Sequence, residues 1–196
     1  MLTQLPALAV IVPLLSAPLC LLLRRPLLAW WFAIIVSALT LLISITLLQQ
    51  VMASGTIAYE MGGWSAPWGI EYRIDKLNAY LLLIITSIST VVLLAANTSI
   101  EQEIQKDRQI LFYVLYLLSL AGMLGIVSTG DAFNVFVFLE ISSLAAYSLI
   151  ALGKDRHALW ASYQYLIMGT IGATFILIGI GLMYQMTGTL NMDDLS

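Results

Sequence analysis

The sequence predicts an all-α membrane protein of six spanning helices with a short β-hairpin on its outer side. Three observations predict it. The 196 residues are 61% hydrophobic and 10% charged, with a mean hydropathy of +0.96, whereas soluble domains run near half apolar and about a quarter charged. Six segments supply the roughly 20 predominantly apolar residues that a spanning helix needs: 5–23, 27–48, 77–97, 109–129, 131–152 and 159–184. The few charges gather in the connections between those segments.

The first segment carries Pro6, Pro13 and Pro18, so it is expected to bend, with its freed carbonyls covered by neighbouring helices. It lacks the basic flank and small-residue cleavage site of a signal peptide, and is expected to stay as a span. Pro26, after Arg24 and Arg25, suits the first turn of the second helix. Between the second and third spans lies "GTIAYEMGGWSAPWGIEYRIDK", where Ile57, Tyr59 and Met61 alternate, as do Ile70, Tyr72 and Ile74. Alternation on both sides of the turn-like "SAPWG" predicts the hairpin, at about 55–76. The fourth and fifth spans are separated only by "STGD", which makes them antiparallel neighbours. Gly130 permits that turn and Asp131 caps the fifth helix. Asp75 and Lys76 border the third span in an interfacial role, and "EQEIQKDRQ" reads as a solvated loop with helical charge pairs.

Loop charge predicts orientation. The loops after the odd-numbered spans hold Arg24, Arg25, Lys106, Arg108, Lys154 and Arg156; the opposite side holds only Arg73 and Lys76. The chain is therefore expected to be a multi-pass protein of the cell's inner or plasma membrane, with its N-terminus outside. Trp30, Trp31, Trp64, Trp68 and Trp160 fall at the expected interfaces, where an amphipathic indole is favoured.

Several function classes are excluded. Cys20 is the only cysteine and His157 the only histidine. This chain thus makes no internal disulfide, CxxC pair, iron–sulfur site or bis-histidine haem site. No cofactor or metal site is expected, and no basic-aromatic patch suggests nucleic acid.

One residue resists the plain reading. Glu140 lies nine residues after Asp131, so about 14 Å into the fifth span and close to the bilayer midplane. A charged side chain at a helix centre costs about 2.5–3.5 kcal/mol on insertion scales, so this acid is expected to face protein or water. Ser143 and Tyr147 follow three and seven residues later and share its face, forming a narrow polar stripe. No Lys, Arg or His stands inside any of the six spans, so a counter-ion for Glu140 has to come from outside this sequence. An acid poised between charged and neutral forms can accept a proton from one side and release it to another. The alternative is a neutral glutamic acid hydrogen-bonded to a facing helix for packing alone.

The remaining polar candidates are weaker. His157, in "GKDRHALW", is a candidate proton inlet at the inner mouth of the last two spans; a solvated loop histidine is the alternative. Gln164, Thr170 and Thr174 are candidates to line a wet path. Gly169, Gly172, Ala173, Gly179 and Gly181 of the same span suit close approach by a neighbouring helix.

The text "STGDAFNVFVFLEISSLAAYSLIALG" resembles the fourth-to-fifth helix region of the antiporter-like proton-pumping subunits. These are shared by Mrp-type multisubunit sodium/proton antiporters, respiratory complex I and membrane-bound hydrogenases. "YEMGGWSAPWGIEYRID" looks most like the D-type subunit of the Mrp antiporters, and "TGTLNMDDLS" resembles the segment after the family's sixth helix. The resemblance runs from about residue 55 to the C-terminus. It implies that Glu140, matched at "FVFLE", is the family's fifth-helix glutamate, required for ion translocation and working opposite a lysine on the seventh helix. Leu139 stands where many relatives have another aromatic. It further implies about fourteen spans built on two inverted five-helix repeats, of which this chain is an N-terminal part. Residues 1–108 then form a three-helix region with the hairpin, and 109–196 the start of the first proton-translocating repeat. The implied partners are protons, monovalent cations (sodium foremost), the bilayer and other membrane subunits. The implied function is proton relay in a cation/proton antiporter. The alternatives are a pumping subunit of a complex I-like or hydrogenase complex, or an assembly scaffold; alone the chain is not expected to transport.

Overall fold

The computed structural model describes residues 4–64 and 69–195. These residues contain six α-helices, α1 (Leu5–Cys20), α2 (Pro26–Ser54), α3 (Lys76–Glu103), α4 (Gln109–Ser128), α5 (Ala132–Ala151) and α6 (Arg156–Thr187), the strands β1 (Ile57–Glu60) and β2 (Glu71–Ile74), and a short 3-10 turn at Met61–Gly63. Five of the helices, α2 to α6, are long and apolar enough to cross a membrane. The first differs from expectation. Its 16 residues are about 24 Å of helix, short of the roughly 30 Å hydrocarbon core, because it ends at Cys20 and Leu21–Leu23 form a turn.

Helix starts follow local chemistry. Proline occupies the first turn of α1 and of α2, where its missing N–H costs nothing. Aspartates cap three others: Asp75 accepts from Asn78 N at 2.8 Å, Asp131 from Asn134 N at 2.7 Å and Asp155 from His157 N at 3.1 Å. Each satisfies a donor that would otherwise be orphaned near the membrane boundary. Gly130 plays a different part from the expected one. It is not among the glycines with positive φ, and a Cβ there would meet Glu71 O at an ordinary 3.4 Å; what it contributes is its N–H, which donates to Glu71 O at 2.9 Å.

The hairpin forms in the register Ile57↔Ile74, Tyr59↔Tyr72. Tyr72 and Ile74 turn inward and are buried, and the Tyr72 ring lies 6.5 Å from that of Phe138 on α5. Burial pushes the Tyr72 phenol up to about 12. Residues 65–68, with Trp68, lie outside the described residues. The segment after α6 returns to the same end of the bundle. Gly188 turns it in the left-handed conformation (φ 74°), Ala132 N donates to Leu190 O and Met192 N to Gly130 O, both at 2.9 Å. Arg73 and Asp193 form an ion pair there.

The helix α4 is the hub. It packs on α1, α2, α3 and α5 and contributes Tyr113 and Leu117 to one buried cluster, Leu120 and Leu124 to the other. Lipid is as apolar as leucine, so such helices associate through close packing and interhelical hydrogen bonds rather than hydrophobic burial. Ser37 of α2 bonds Thr90 and Ser89 of α3 at 2.9 and 3.3 Å. Nearby, the indole of Trp30 donates to Leu93 O at 2.8 Å. Trp30 is thus a tie between α2 and α3, whereas Trp31, Trp64 and Trp160 are exposed as interface residues should be. Trp30→Phe, which keeps a ring and deletes the donor, is expected to cost about 0.6–2 kcal/mol. Reversible unfolding of the assembled protein in detergent measures it; an unchanged midpoint would show the bond contributes nothing.

The candidate functional site along α5

Why α5 sits where it does is set by two glycines on α4. A Cβ on Gly122 would lie 2.7 Å from Ser142 N and 2.8 Å from Phe138 O, while one on Gly125 would fall into the Phe138 ring. Phe138 and Ser142 therefore define the face of α5 that α4 covers. Glu140 lies two residues from each, about 200° around the helix in either direction. Its side chain leaves the helix on the side away from α4.

Tyr147 marks what lies on that side. Seven residues on, it returns to the Glu140 face within about 20°. Its hydroxyl rests against the bare Cα of Gly169 on α6, and its ring meets Tyr165 edge-on at 4.6 Å. Its carbonyl accepts from Ser162 Oγ at 2.7 Å. Ser143 lies between, partly buried like Glu140 itself. The stripe Glu140–Ser143–Tyr147 thus turns toward α6 and the open flank beside it. Among the described residues Glu140 has neither hydrogen bond nor ion pair. Outside the first turns of α3 and α6, no helix contains a Lys, Arg or His.

That flank is open because α6 is almost bare. Of its 32 residues only Ala173 and Ile180 are buried. Gly169 and Ala173 face α5 as small residues at a close crossing, while Gly172, Gly179 and Gly181 have open space around them among the described residues. Gln164, Thr170 and Thr174 are exposed on other faces of α6. The two threonine hydroxyls bond back to Leu166 O and Thr170 O at 2.8 Å. Among the described residues no hydrogen bond joins any of these three to Glu140. His157 is exposed in the first turn of α6, at the end of the bundle where Ile104 pairs with Gly153.

Asn134, in the first turn of α5, ties the helix to the turn before it: its amide donates to Thr129 Oγ1 at 3.1 Å. Sequence reasoning misses the Gly122/Gly125 pair, although small residues in an apolar helix suit close approach by a neighbour. It also misses the clasp between residues 188–193 and the α5 start, which depends on pairing between distant segments.

A bundle of helices long and apolar enough to cross a membrane, with a carboxylate near the middle of one of them and no partner for it among the described residues, defines a multi-pass membrane protein. Residues 129–196 match the family described as NADH:quinone oxidoreductase/Mrp antiporter, transmembrane, and the chain belongs to this antiporter-like family. It is 41% identical over 199 residues to the N-type subunit of the NADH-quinone oxidoreductase of Desulforudis audaxviator, covering all of this chain and 39% of that protein. It is 36% identical over 190 residues to the D-type subunit of the Na(+)/H(+) antiporter of Bacillus subtilis, covering 96% of this chain and 38% of the other. Among solved structures, an archaeal membrane-bound sulfane sulfur reductase, a respiratory membrane complex, superposes with a TM-score of 0.87 at 36% identity. That match covers 96% of this chain and 39% of the other. The chain spans about 39% of the length of the relatives it matches.

Proposed function

We propose that the chain is part of a membrane subunit of a multisubunit monovalent cation/proton antiporter, in which Glu140 relays protons across the middle of the membrane. The observation that carries this reading is the placement of Glu140. An ionisable group on the α5 face away from α4, with no partner among the described residues, is costly in lipid. Such a group suits a site whose charge is met by a mobile proton and by a basic side chain from the rest of the complex. The name of the Bacillus subtilis relative supports sodium as the exchanged cation.

In this reading residues 109–196 begin the first translocating repeat, and 1–108 form a flanking region with the hairpin. Other membrane subunits or further chain supply the remaining half-channel. Six basic residues (Arg24, Arg25, Lys106, Arg108, Lys154 and Arg156) at the end opposite the hairpin support a cytoplasmic side there and an external N-terminus. His157 at that end can collect protons for the stripe.

A second reading, a redox-driven pump subunit, draws on the 41% identity with a quinone oxidoreductase subunit along the whole chain. Proteoliposomes of the assembled complex separate the two. An antiporter collapses an imposed pH gradient when sodium is added, with no reductant present. A pump moves protons only with reductant and ignores sodium. A complex that does neither, with this subunit in place, would leave the chain a scaffold and end both transport readings.

A further inference from the structure

We propose that a groove running down α3 and α4, with its mouth in the loops opposite the hairpin, holds one phospholipid bearing a primary amine. Two adjoining cavities make the groove. The first, of about 580 Å³, opens between the ends of α3 and α5 and the starts of α4 and α6; the second, of about 280 Å³, continues between α3 and α4, and Leu149 of α5 lines both.

The body of the groove is apolar. Phe112 stacks on Tyr116 at 6.1 Å, and the Tyr116 hydroxyl is spent on Ser89 O at 3.0 Å. Ile84 of α3 and Met123 of α4 line its far end. From Phe112 to Met123 is about 16 Å of helix, which matches the roughly 15 Å of hydrocarbon in one leaflet. An acyl chain entering at the loops would reach the midplane as the groove ends.

The mouth carries both signs of charge. Glu103, Lys154 and Asp155 line it and are exposed. The loops that carry them are tied together by the Ile104–Gly153 bridge and by Lys154 N donating to Glu103 O at 3.3 Å. The Lys154 ammonium donates to Gln102 O and keeps two donors for a phosphate. Asp155 spends Oδ1 on its helix cap, leaving its second oxygen, with the Glu103 carboxylate, to accept from an ammonium. A headgroup with a phosphate and a donating amine satisfies both sides. A quaternary amine cannot donate, and a purely anionic headgroup meets two carboxylates.

Native mass spectrometry of the assembled complex tests this, titrating phosphatidylethanolamine, phosphatidylcholine and phosphatidylglycerol of matched acyl chains. Phosphatidylethanolamine is expected to be retained about tenfold more strongly than either rival, the worth of one charged hydrogen bond. Glu103→Gln, an exposed change that leaves packing untouched, is expected to erase that preference. Leu149→Trp, which blocks the groove, is expected to remove the lipid. Equal retention of the three, a preference for phosphatidylglycerol, lipid retained behind Leu149→Trp, or no lipid because a partner helix fills the groove would each overturn the proposal.

Discussion

Replacing Glu140 by glutamine is expected to lower cation-dependent proton transport by the assembled complex about 100-fold or more, the usual worth of a positioned proton-transfer group. Glutamine keeps the size and polar shape of the side chain but cannot exchange a proton. Nothing among the described residues holds the carboxylate, so the substitution breaks no contact within the chain. It also removes a group whose charged form is costly in lipid, and the amount of assembled complex should be unchanged. Glu140→Asp keeps the acid on a stem shorter by one carbon, and an intermediate rate is expected. Growth of a sodium-sensitive, antiporter-deficient cell reports the outcome in vivo, and quenching of a pH-sensitive dye in vesicles reports it in vitro. Wild-type transport by Glu140→Gln would mean that the acid only packs. Loss of assembly in step with loss of transport would mean that it is structural.

The second large effect is expected at the α4–α5 crossing. Gly122→Ala places a methyl 2.7 Å from Ser142 N and 2.8 Å from Phe138 O. Both are main-chain atoms of α5, so relief requires the whole helix to move. Overpacking of this kind costs about 1–3 kcal/mol. For Gly125→Ala the nearest atoms all belong to the Phe138 ring, a side chain that can be trimmed. The two variants should therefore differ in rescue. Phe138→Leu is expected to bring the cost of Gly125→Ala below about 0.5 kcal/mol, a coupling that marks direct contact, and to leave Gly122→Ala unrelieved. Unfolding midpoints of the single and double variants decide it. Equal costs for both glycines in both backgrounds would mean that the helices are not held at this distance by the two bare Cα atoms. Because the same crossing sets the direction in which Glu140 leaves α5, Gly122→Ala should also depress transport, while leaving the carboxylate itself in place.

Much of the architecture is legible from residues near one another in the chain. Runs of about 20 apolar residues define spans because the bilayer has one thickness. The cap at Asp131 and the alternation at Ile57–Tyr59 and Tyr72–Ile74 are local patterns, whereas Asp75 reads only as an interfacial residue and the Asp155 cap goes unread. Glu140 stands out because an acid in such a run has no cheap explanation. The first span reads too long, since Leu21–Leu23 are as apolar as the helix before them and hydropathy does not register where a turn begins. Trp30 reads as an interface anchor because position along a helix says nothing of which neighbour lies beside it.

By itself, then, the sequence determined the helices, the hairpin and the place of one carboxyl midway along its helix, all properties of continuous segments. Only the tertiary structure decided that α4 is the hub, that Gly122 and Gly125 seat Phe138 and Ser142, and that Glu140 consequently faces the side of α6. It also decided that the Thr170 and Thr174 hydroxyls are spent on carbonyls of their own helix. The physical reason is that a helix in lipid carries no amphipathic stripe to announce its buried face: leucine is equally comfortable against a neighbour or an acyl chain. Which side packs is settled by shape, where small residues let two backbones meet, and shape exists only once the helices are together.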